Sequence, residues 1–226
     1  MGPTSAIVVA GGRGERFGAP KQFLTAAGAR LVDHAVTNAG LVCDEVVVVL
    51  PADQTWDGPT VTAAVAGGAT RAESVRAGLA AVAPGAAIVV VHDAARPLAS
   101  PELFELVIDA VRAGADAAIP AIDVSDTLKR VDGDRVIATV ERDGLVAVQT
   151  PQAFNAEALR AAHAAGADAT DDAALVEVAG GRVVVVPGDP RNVKVTTVAD
   201  LAVASALLEE AAAKTGARRR EREVGR

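Results

Sequence analysis

The chain has 226 residues, of which 50% are hydrophobic, 23% charged and only 2% aromatic, and its formal net charge is −7 at pH 7. This length suits a single α/β domain with a sizeable core built from Ala, Val, Leu and Ile. The acidic balance argues against a nucleic-acid-binding protein, because no basic face dominates, but it permits a phosphate-bearing substrate that needs only a few local cations.

The sequence favours a cytoplasmic location without membrane association. The single cysteine, Cys43, cannot form an internal disulfide, which is typical of a reducing compartment. The N-terminal residues lack the basic segment and apolar run of a signal peptide. No apolar stretch approaches the roughly 20 residues that a membrane helix needs. We therefore expect a soluble protein.

Short aliphatic runs early in the chain predict the buried strands of a parallel sheet: Ser5–Ala10, Glu45–Leu50, Ala87–His92 and Ala117–Ala121. Each run is continuously apolar instead of alternating, as in a sheet covered by helices on both faces. Thr70 with Glu73 predicts a capping box, and Ser100 with Pro101 predicts the start of a helix that ends at Gly114. Repeated strand–helix units predict an α/β fold with a doubly wound, mostly parallel, Rossmann-like sheet.

A β-hairpin interrupts this alternation. The segments Thr127–Val131 and Val136–Val140 flank an Asp-Gly-Asp turn, and we expect them to form an arm that projects from the sheet at about residues 122–146. An exposed arm with apolar positions needs a partner, which predicts a homodimer.

The C-terminal part of the chain returns to a strand and a helix. A strand is predicted at Val183–Pro187, and the last helix is predicted from about Val198 to Lys214. The tail at residues 217–226 is highly charged and apolar-poor, so we expect it to be disordered. Residues 1–216 are expected to form one domain that includes the arm.

A glycine-rich loop follows the first strand and begins with Gly11 and Gly12. Phe17 occupies the third glycine position of a dinucleotide fingerprint, and Lys21 lacks the preceding glycine of a P-loop, so neither motif fits. Glycines nevertheless let the backbone approach a ligand, and Arg16 and Lys21 are suited to phosphate oxygens. Such a loop lies where open α/β sheets bind ligands. The alternative is a tight turn with solvated charges.

A second polar cluster follows the strand that ends near His92. Asp93 can hold a divalent metal or a substrate hydroxyl and Arg96 a phosphate; the alternative is an Asp–Arg pair that ties down the loop. We expect His92 to be structural rather than an acid–base catalyst. Lys194 is either a cation of the same site or a surface lysine. The run 170–172 (Thr-Asp-Asp) is first interpreted as a helix N-cap, and contact with a ligand is the second interpretation.

Several motifs in order resemble the 2-C-methyl-D-erythritol 4-phosphate cytidylyltransferases of the non-mevalonate isoprenoid pathway. The resemblance extends from Ile7 to about Leu208. It rests on the segments GGRGERFGAPKQF, GGATRAESVRAGL, VHDAARP, SDTLKR, VQTPQAF, TDDAALVE and NVKVTT. It implies a nucleotidyltransferase fold, a homodimer, a divalent cation such as Mg²⁺, and the substrates CTP and a polyol phosphate.

The resemblance also implies residue roles, which fall into three groups. The catalytic cations around the CTP phosphates would be Arg16, Lys21 and Lys194. The nucleotide would be lined or recognised by Ala10, Gly11, Gly12, Gly68, Ser74 and Ala94. The second substrate would be bound by Asp93, Arg96, Thr127, Arg142 and Thr150, with Asp93 near the metal and the arm residues reaching the neighbouring subunit's site. At Ala69, where relatives often carry a polar side chain, base recognition would use the backbone.

Other functions stay open on the sequence alone. The closest is transfer to ribitol 5-phosphate or another polyol phosphate, since each acceptor needs a cationic pocket and hydroxyl partners. A non-catalytic nucleotide-binding module is a different class of protein, but the presence of both cation sets argues against it. An NAD(P)-dependent oxidoreductase is disfavoured because the fingerprint spacing fails.

Overall fold

We describe the protein from a computed structural model that covers residues 2–12, 20–164, 166, 169 and 171–224, with side chains described as far as Lys214. Within these residues the strands are β1 Thr4–Val9, β2 Thr25–Ala26, β3 Ala29–Arg30, β4 Glu45–Leu50, β5 Ala63–Ala66, β6 Ile88–Asp93, β7 Ala117–Asp123, β8 Leu128–Asp132, β9 Arg135–Val140, β10 Val146–Val148, β11 Gln152–Asn155 and β12 Val183–Pro187. The helices are α1 Leu31–Gly40, α2 Arg71–Ala81, α3 Pro101–Arg112, α4 Ala156–Ala164, α5 Asp172–Val178 and α6 Val198–Val224.

The central sheet has the order β10-β7-β11-β6-β1-β4-β5, and β12 also pairs with β7. Strands β6, β1, β4 and β5 are parallel neighbours, so their carboxyl ends share one edge of the sheet. Strand β11 is antiparallel to both β6 and β7, and β12 is parallel to β7, so the end of β12 reaches the same edge. The predicted doubly wound, mostly parallel α/β fold is confirmed, with β10 and β11 as antiparallel members.

Helices cover both faces of the sheet, as the continuous aliphatic strands predicted. In β4, Val48 belongs to the apolar cluster that includes Phe104 of α3, whereas Val47 belongs to the cluster on the opposite face with Leu79 of α2. Successive strand residues point to opposite faces, so a strand buried on both sides must be apolar throughout. A smaller cluster, which includes Ala204, places α6 against the β2–β3 hairpin.

The side chains predicted to cap helices α2 and α3 do so, and the predicted N-cap run 170–172 supplies the cap of α5. The Thr70 hydroxyl accepts the Glu73 backbone N–H at 3.1 Å, and the Glu73 carboxylate accepts the Thr70 N–H at 3.3 Å, which completes the capping box of α2. Ser100 caps α3. Asp171 caps α5 by accepting the Ala174 N–H at 3.0 Å. These side chains satisfy helix N–H groups that have no partner within the helix.

Two features differ from the sequence expectation. Strands β5 and β11 have no clear sequence signal, because one is rich in Ala and the other is short and partly polar. Helix α6 continues to Val224, beyond the expected end at Lys214. It passes Thr215 and Gly216, which are weak helix formers, into residues 217–223, which are Ala, Arg and Glu and favour a helix. No helix in the described part of the chain is long and apolar enough to cross a membrane.

The predicted arm is present as an antiparallel pair of strands. Strands β8 and β9 form their own two-stranded sheet, joined by a turn in which Gly133 has a φ of 57°. Nearly every arm residue is exposed, including the apolar side chains of Val131, Val136 and Ile137, each more than half exposed.

Candidate active site

The start of the glycine-rich loop is held by a buried side chain, that of Gln22. Its Nε2 donates to the carbonyl oxygens of Ala10 at 2.6 Å and Gly12 at 2.8 Å. The Ala10 N–H in turn donates to the Val49 carbonyl oxygen at 2.8 Å. These bonds fix the backbone where β1 ends. Arg16 lies outside the described residues, so its predicted role stays a prediction.

The segment before α2 packs closely against the first turn of that helix. A Cβ on Gly67 would lie 2.7 Å from the Ser74 Oγ, and a Cβ on Gly68 would lie 2.3 Å from the Glu73 Cβ. A larger residue at position 68 would therefore displace the first turn of the helix, whereas one at position 67 would force the Ser74 side chain to move. The Ser74 hydroxyl donates to the Thr70 carbonyl oxygen at 3.0 Å and accepts the Gly68 N–H at 3.2 Å. Ser74 thus shapes the loop that contains Gly68, another residue predicted to line or recognise the nucleotide.

The backbone N–H of Ala69 is already engaged. It donates to the Glu73 Oε2 at 2.6 Å, so it is not available to a base in this arrangement. If the backbone of Ala69 recognises the base, as expected from the sequence, the group that does so in this arrangement is its carbonyl oxygen.

Asp93 is the centre of an ionic cluster at the end of β6. Its Oδ2 lies 2.6 Å from the Lys194 Nζ, and its Oδ1 lies 3.4 Å from the Arg71 Nε. Burial alone would raise the pKa of Asp93, but the charges of Arg71 and Lys194 outweigh it and hold the pKa of this carboxyl well below its usual range. Asp93 is therefore an anion with two cations around it.

A buried histidine lies directly behind this carboxylate. Desolvation lowers the pKa of His92 to about 4, so the ring is neutral at pH 7. Its Nε2 is 3.1 Å from the Arg96 carbonyl oxygen, which can only accept, so Nε2 carries the proton. The Thr150 hydroxyl then donates to Nδ1 at 3.1 Å and accepts the Asp93 backbone N–H at 3.1 Å. The structural role expected for His92 fits this network.

Arg96 braces the segment that carries Lys194. Its Nη1 donates to the Asn192 carbonyl oxygen at 2.8 Å and its Nη2 to the Val148 carbonyl oxygen at 3.4 Å. Asp93 does not form the local ion pair with Arg96 that the sequence left as an alternative, because its carboxylate pairs with Lys194 and Arg71.

These elements enclose a cleft of about 480 Å³ at the carboxyl edge of the sheet. Nine of the residues predicted from the sequence line it, namely Ala10, Gly11, Gly12, Lys21, Gly68, Ser74, Asp93, Ala94 and Lys194. Thr150 and Arg96 do not line the cleft. Thr150 accepts the backbone N–H of Asp93, which does line it, and Arg96 donates to the carbonyl oxygen of Asn192, two residues before Lys194. The structure thus brings both predicted polar clusters into one site.

The two predicted arm residues do not line the cleft of their own chain. Thr127 and Arg142 are both exposed. The Arg142 Nη1 donates to the carbonyl oxygens of Val124 and Ser125 and thereby ties together the two sides of the arm's base.

The sequence suggested no role for Gln22 or Arg71, and for Asp172 only the helix N-cap or ligand contact considered for residues 170–172, although all three stand in the quoted motifs. The N-cap is Asp171, not Asp172. Arg71 lines the cleft, and its Nη1 lies 2.6 Å from the Oδ2 of Asp172, which is 1% exposed. The sequence signal for this ion pair was a charged residue at the start of each helix, α2 and α5. The sequence around each residue does not show that the two helix starts lie next to each other.

A glycine-rich loop and a lysine-bearing cleft at the carboxyl edge of an open α/β sheet are typical of nucleotide-binding sites. The fold as a whole is nucleotidyltransferase-like, because it matches solved structures of that class. The sequence profile of the family described as 2-C-methyl-D-erythritol 4-phosphate cytidylyltransferase matches residues 4–210. The chain therefore belongs to this family.

Individual relatives agree with this assignment. The chain is 46% identical over 223 residues to the 2-C-methyl-D-erythritol 4-phosphate cytidylyltransferase of Nocardia farcinica, covering 94% of this chain and 96% of the relative. It is also 46% identical to the enzyme of that name from Saccharopolyspora erythraea, covering 90% and 98%. The crystal structure of the Thermus thermophilus enzyme of that name superimposes with a TM-score of 0.81 at 35% identity, covering 92% of this chain and 100% of the other.

Proposed function

We propose that this protein transfers CMP from CTP to 2-C-methyl-D-erythritol 4-phosphate, yielding 4-diphosphocytidyl-2-C-methyl-D-erythritol and pyrophosphate for isoprenoid precursor synthesis. The observation that carries the proposal is the cleft in which Lys21 and Lys194 lie beside a glycine-rich loop. Membership of the cytidylyltransferase family supports the same activity.

The chemistry needs positioning and positive charge rather than a covalent protein intermediate. A phosphate oxygen of the acceptor attacks the α-phosphorus of CTP in line, a new P–O bond forms, and the bond to the β-phosphate oxygen breaks to release pyrophosphate. The acceptor phosphate is already an anion near pH 7, so no general base is required. Lys21 and Lys194 reduce the repulsion between the two polyanions and stabilise the charge that develops in the transition state, with Arg16 as a third cation.

The cleft also fits a divalent cation that is held chiefly by the substrate. Asp93 is the only acidic side chain among the described residues that line the cleft, and the described residues contain no cluster of three metal-ligating side chains. Mg²⁺ is commonly bound by one or two carboxylates together with substrate phosphates. The triphosphate would supply most of its ligands, and Asp93, whose two oxygens also pair with Arg71 and Lys194, is the residue that would add a carboxylate oxygen. Bound there, the ion would neutralise triphosphate charge.

The acceptor is decided by measuring pyrophosphate release with CTP and Mg²⁺. We expect strong preference for 2-C-methyl-D-erythritol 4-phosphate over D-ribitol 5-phosphate. Preference for ribitol phosphate would reassign the acceptor and keep the transfer reaction. Release with neither acceptor, together with CTP binding by calorimetry, would favour the non-catalytic nucleotide-binding module.

We further propose that two chains associate through the arm. Val131, Val136 and Ile137 expose apolar surface on a two-stranded ribbon that pairs with no other strand of its own chain among the described residues. Exposed apolar ribbons of this kind are typical of subunit contacts. In such a dimer Thr127 and Arg142 would serve the partner's acceptor pocket. The cytoplasmic location expected from the sequence stays a prediction.

A further inference from the structure

A continuous line of hydrogen bonds and ion pairs leads from the protein interior into the cleft. The Nε2 of His163 lies 3.0 Å from the Oδ1 of Asp172, and the Oδ2 of Asp172 lies 2.6 Å from the Arg71 Nη1. The Arg71 Nε lies 3.4 Å from the Oδ1 of Asp93, whose Oδ2 lies 2.6 Å from the Lys194 Nζ. These contacts join five parts of the chain: the starts of α2 and α5, helix α4, the end of β6, and the segment after β12 that contains Lys194.

The inner end of this line is buried and the outer end is accessible. The side chains of Asp172 and His163 are 1% and 3% exposed, whereas that of Lys194 is 43% exposed. Asp172 is not among the residues that line the cleft, but Arg71 is. Among the described residues, Arg71 is the one that both lines the cleft and pairs with Asp172, so it is the direct link between Asp172 and a bound substrate.

Arg71 is suited to this intermediate position because a guanidinium offers several N–H groups in a rigid plane. Nη1 engages one carboxylate and Nε another, so the plane is held at two points. A lysine at this position would retain the charge but present a single nitrogen on a flexible stem. With Asp172 removed, the ion pair left to the guanidinium among the described residues would be its longer contact, at 3.4 Å, to Asp93.

We propose that Asp172 is a positioning residue of the active site, which fixes Arg71 so that the guanidinium holds Asp93 against Lys194. Asp93 has one oxygen for each cation, so the orientation of its carboxylate couples the position of Arg71 to that of Lys194. His163 is the second anchor, because its ring nitrogen donates to the other oxygen of Asp172. This inference rests on the proposed function for its kinetic consequence, but its geometric content is independent of it.

The first test is a kinetic double-mutant cycle with Asp172→Asn, Arg71→Lys and the double variant. We expect Asp172→Asn to lower kcat about tenfold, since small misplacements of substrate-positioning groups cost up to about 10²-fold. If Asp172 acts through Arg71, the double variant will have a kcat within about twofold of Arg71→Lys alone, because the two residues then act as one unit. If instead the fold-loss in kcat of the double variant equals the product of the two single losses, the proposal is wrong. A folding defect caused by Asp172→Asn would reduce the active fraction equally with Arg71 or Lys at position 71, so it would also give this product.

The control is Asp171→Asn, the same chemical change at the neighbouring residue. Asp171 caps α5 and contacts Gln152 but not Arg71, and Asn is an equally good N-cap. We expect its kcat to be close to that of the unmodified protein. Asp172→Glu, which keeps the carboxylate, is expected to recover part of the activity lost in Asp172→Asn. Equal losses in Asp172→Asn and Asp171→Asn would mean that the start of α5 matters only for stability.

The second test reads the geometry without the reaction. The Nε–H of Arg71, assigned by its loss in Arg71→Lys, is expected to give a slowly exchanging nitrogen-15 NMR signal that broadens in Asp172→Asn and persists in Asp171→Asn. A signal unchanged in Asp172→Asn overturns the proposal, including when Asp172→Asn is inactive. If the unmodified protein releases no pyrophosphate, the proposed function fails, and this signal alone decides whether Asp172 positions Arg71. If Asp172→Asn does not fold, the signal in Asp172→Glu takes its place, with a shifted resonance expected and an unchanged one contradicting the proposal.

Discussion

The Lys194 Nζ lies 2.6 Å from the Oδ2 of Asp93, although 101 positions separate the two residues in the chain. This ion pair forms because β6 and the segment after β12 end at the same edge of the sheet. It places a partly exposed ammonium group on the wall of the cleft and holds it in a defined position. The pair gives Lys194 a role that its local sequence, a lysine between two valines, does not reveal.

Lys21 supplies a second cation to the cleft, and its removal is expected to lower turnover. We expect Lys21→Ala to reduce kcat for pyrophosphate release by about 10²-fold, the scale observed when one charge-stabilising donor is removed. The matched control is Lys214→Ala, since Lys214 is an exposed lysine paired with Glu210 on α6. A Lys21→Ala variant with near-normal turnover would exclude Lys21 as a catalytic cation.

Buried His92 is expected to make the protein less stable as the pH falls. The pKa of His92 in the folded protein is about 4, below the ordinary value of 6.5, so the unfolded chain takes up a proton first as the pH drops. Stability is therefore fully present above about pH 6.5 and is lost progressively down to about pH 4. The loss attributable to this residue is roughly 3 kcal/mol at most.

Urea unfolding of the unmodified protein and of His92→Gln at pH 7, 5.5 and 4.5 measures this loss. Glutamine does not titrate, so the difference in unfolding free energy between the two proteins should shrink as the pH falls. A difference that stays constant over this range would show that His92 is not the source of the pH dependence.

Arg142 is expected to serve the acceptor rather than the nucleotide. Arg142→Ala should raise the KM for the polyol phosphate about tenfold or more, because a charged hydrogen bond to phosphate is lost, while CTP affinity by calorimetry stays the same. Arg135→Ala, which alters another exposed arginine of the arm, is the control. An unchanged KM for the acceptor would remove Arg142 from the site.

The arm is expected to hold the dimer together. Replacing Ile137, which is 53% exposed on β9, by Asp would bury a charge in the proposed contact and shift sedimentation from two chains towards one. Leu41→Asp changes another exposed aliphatic side chain, on the connection after α1, and should leave the mass unchanged. If the unmodified protein sediments as a single chain, the proposed arm-mediated dimer is wrong.

Much of the fold was predictable because its signals are local. Four buried strands, the caps at Thr70 and Ser100, and the hairpin arm each depend on residues within about a dozen positions of one another. Strand β11 was not predictable, because Gln152–Asn155 becomes a strand only by lying between β6 and β7. The glycine-rich loop and the cations Lys21 and Lys194 were identifiable as candidates from residue type and from resemblance to the family.

The sequence by itself determined the layered α/β class, the two polar clusters and the family, since hydrophobic pattern, capping residues and motif order are properties of neighbouring residues. Only the tertiary structure decided which charges meet. Arg71 pairs with Asp172 across 101 positions, and Asp93 selects Lys194 and Arg71 instead of nearby Arg96. Electrostatic partners depend on distance and burial, which are determined where strands and helices from distant parts of the chain converge at one edge of the sheet.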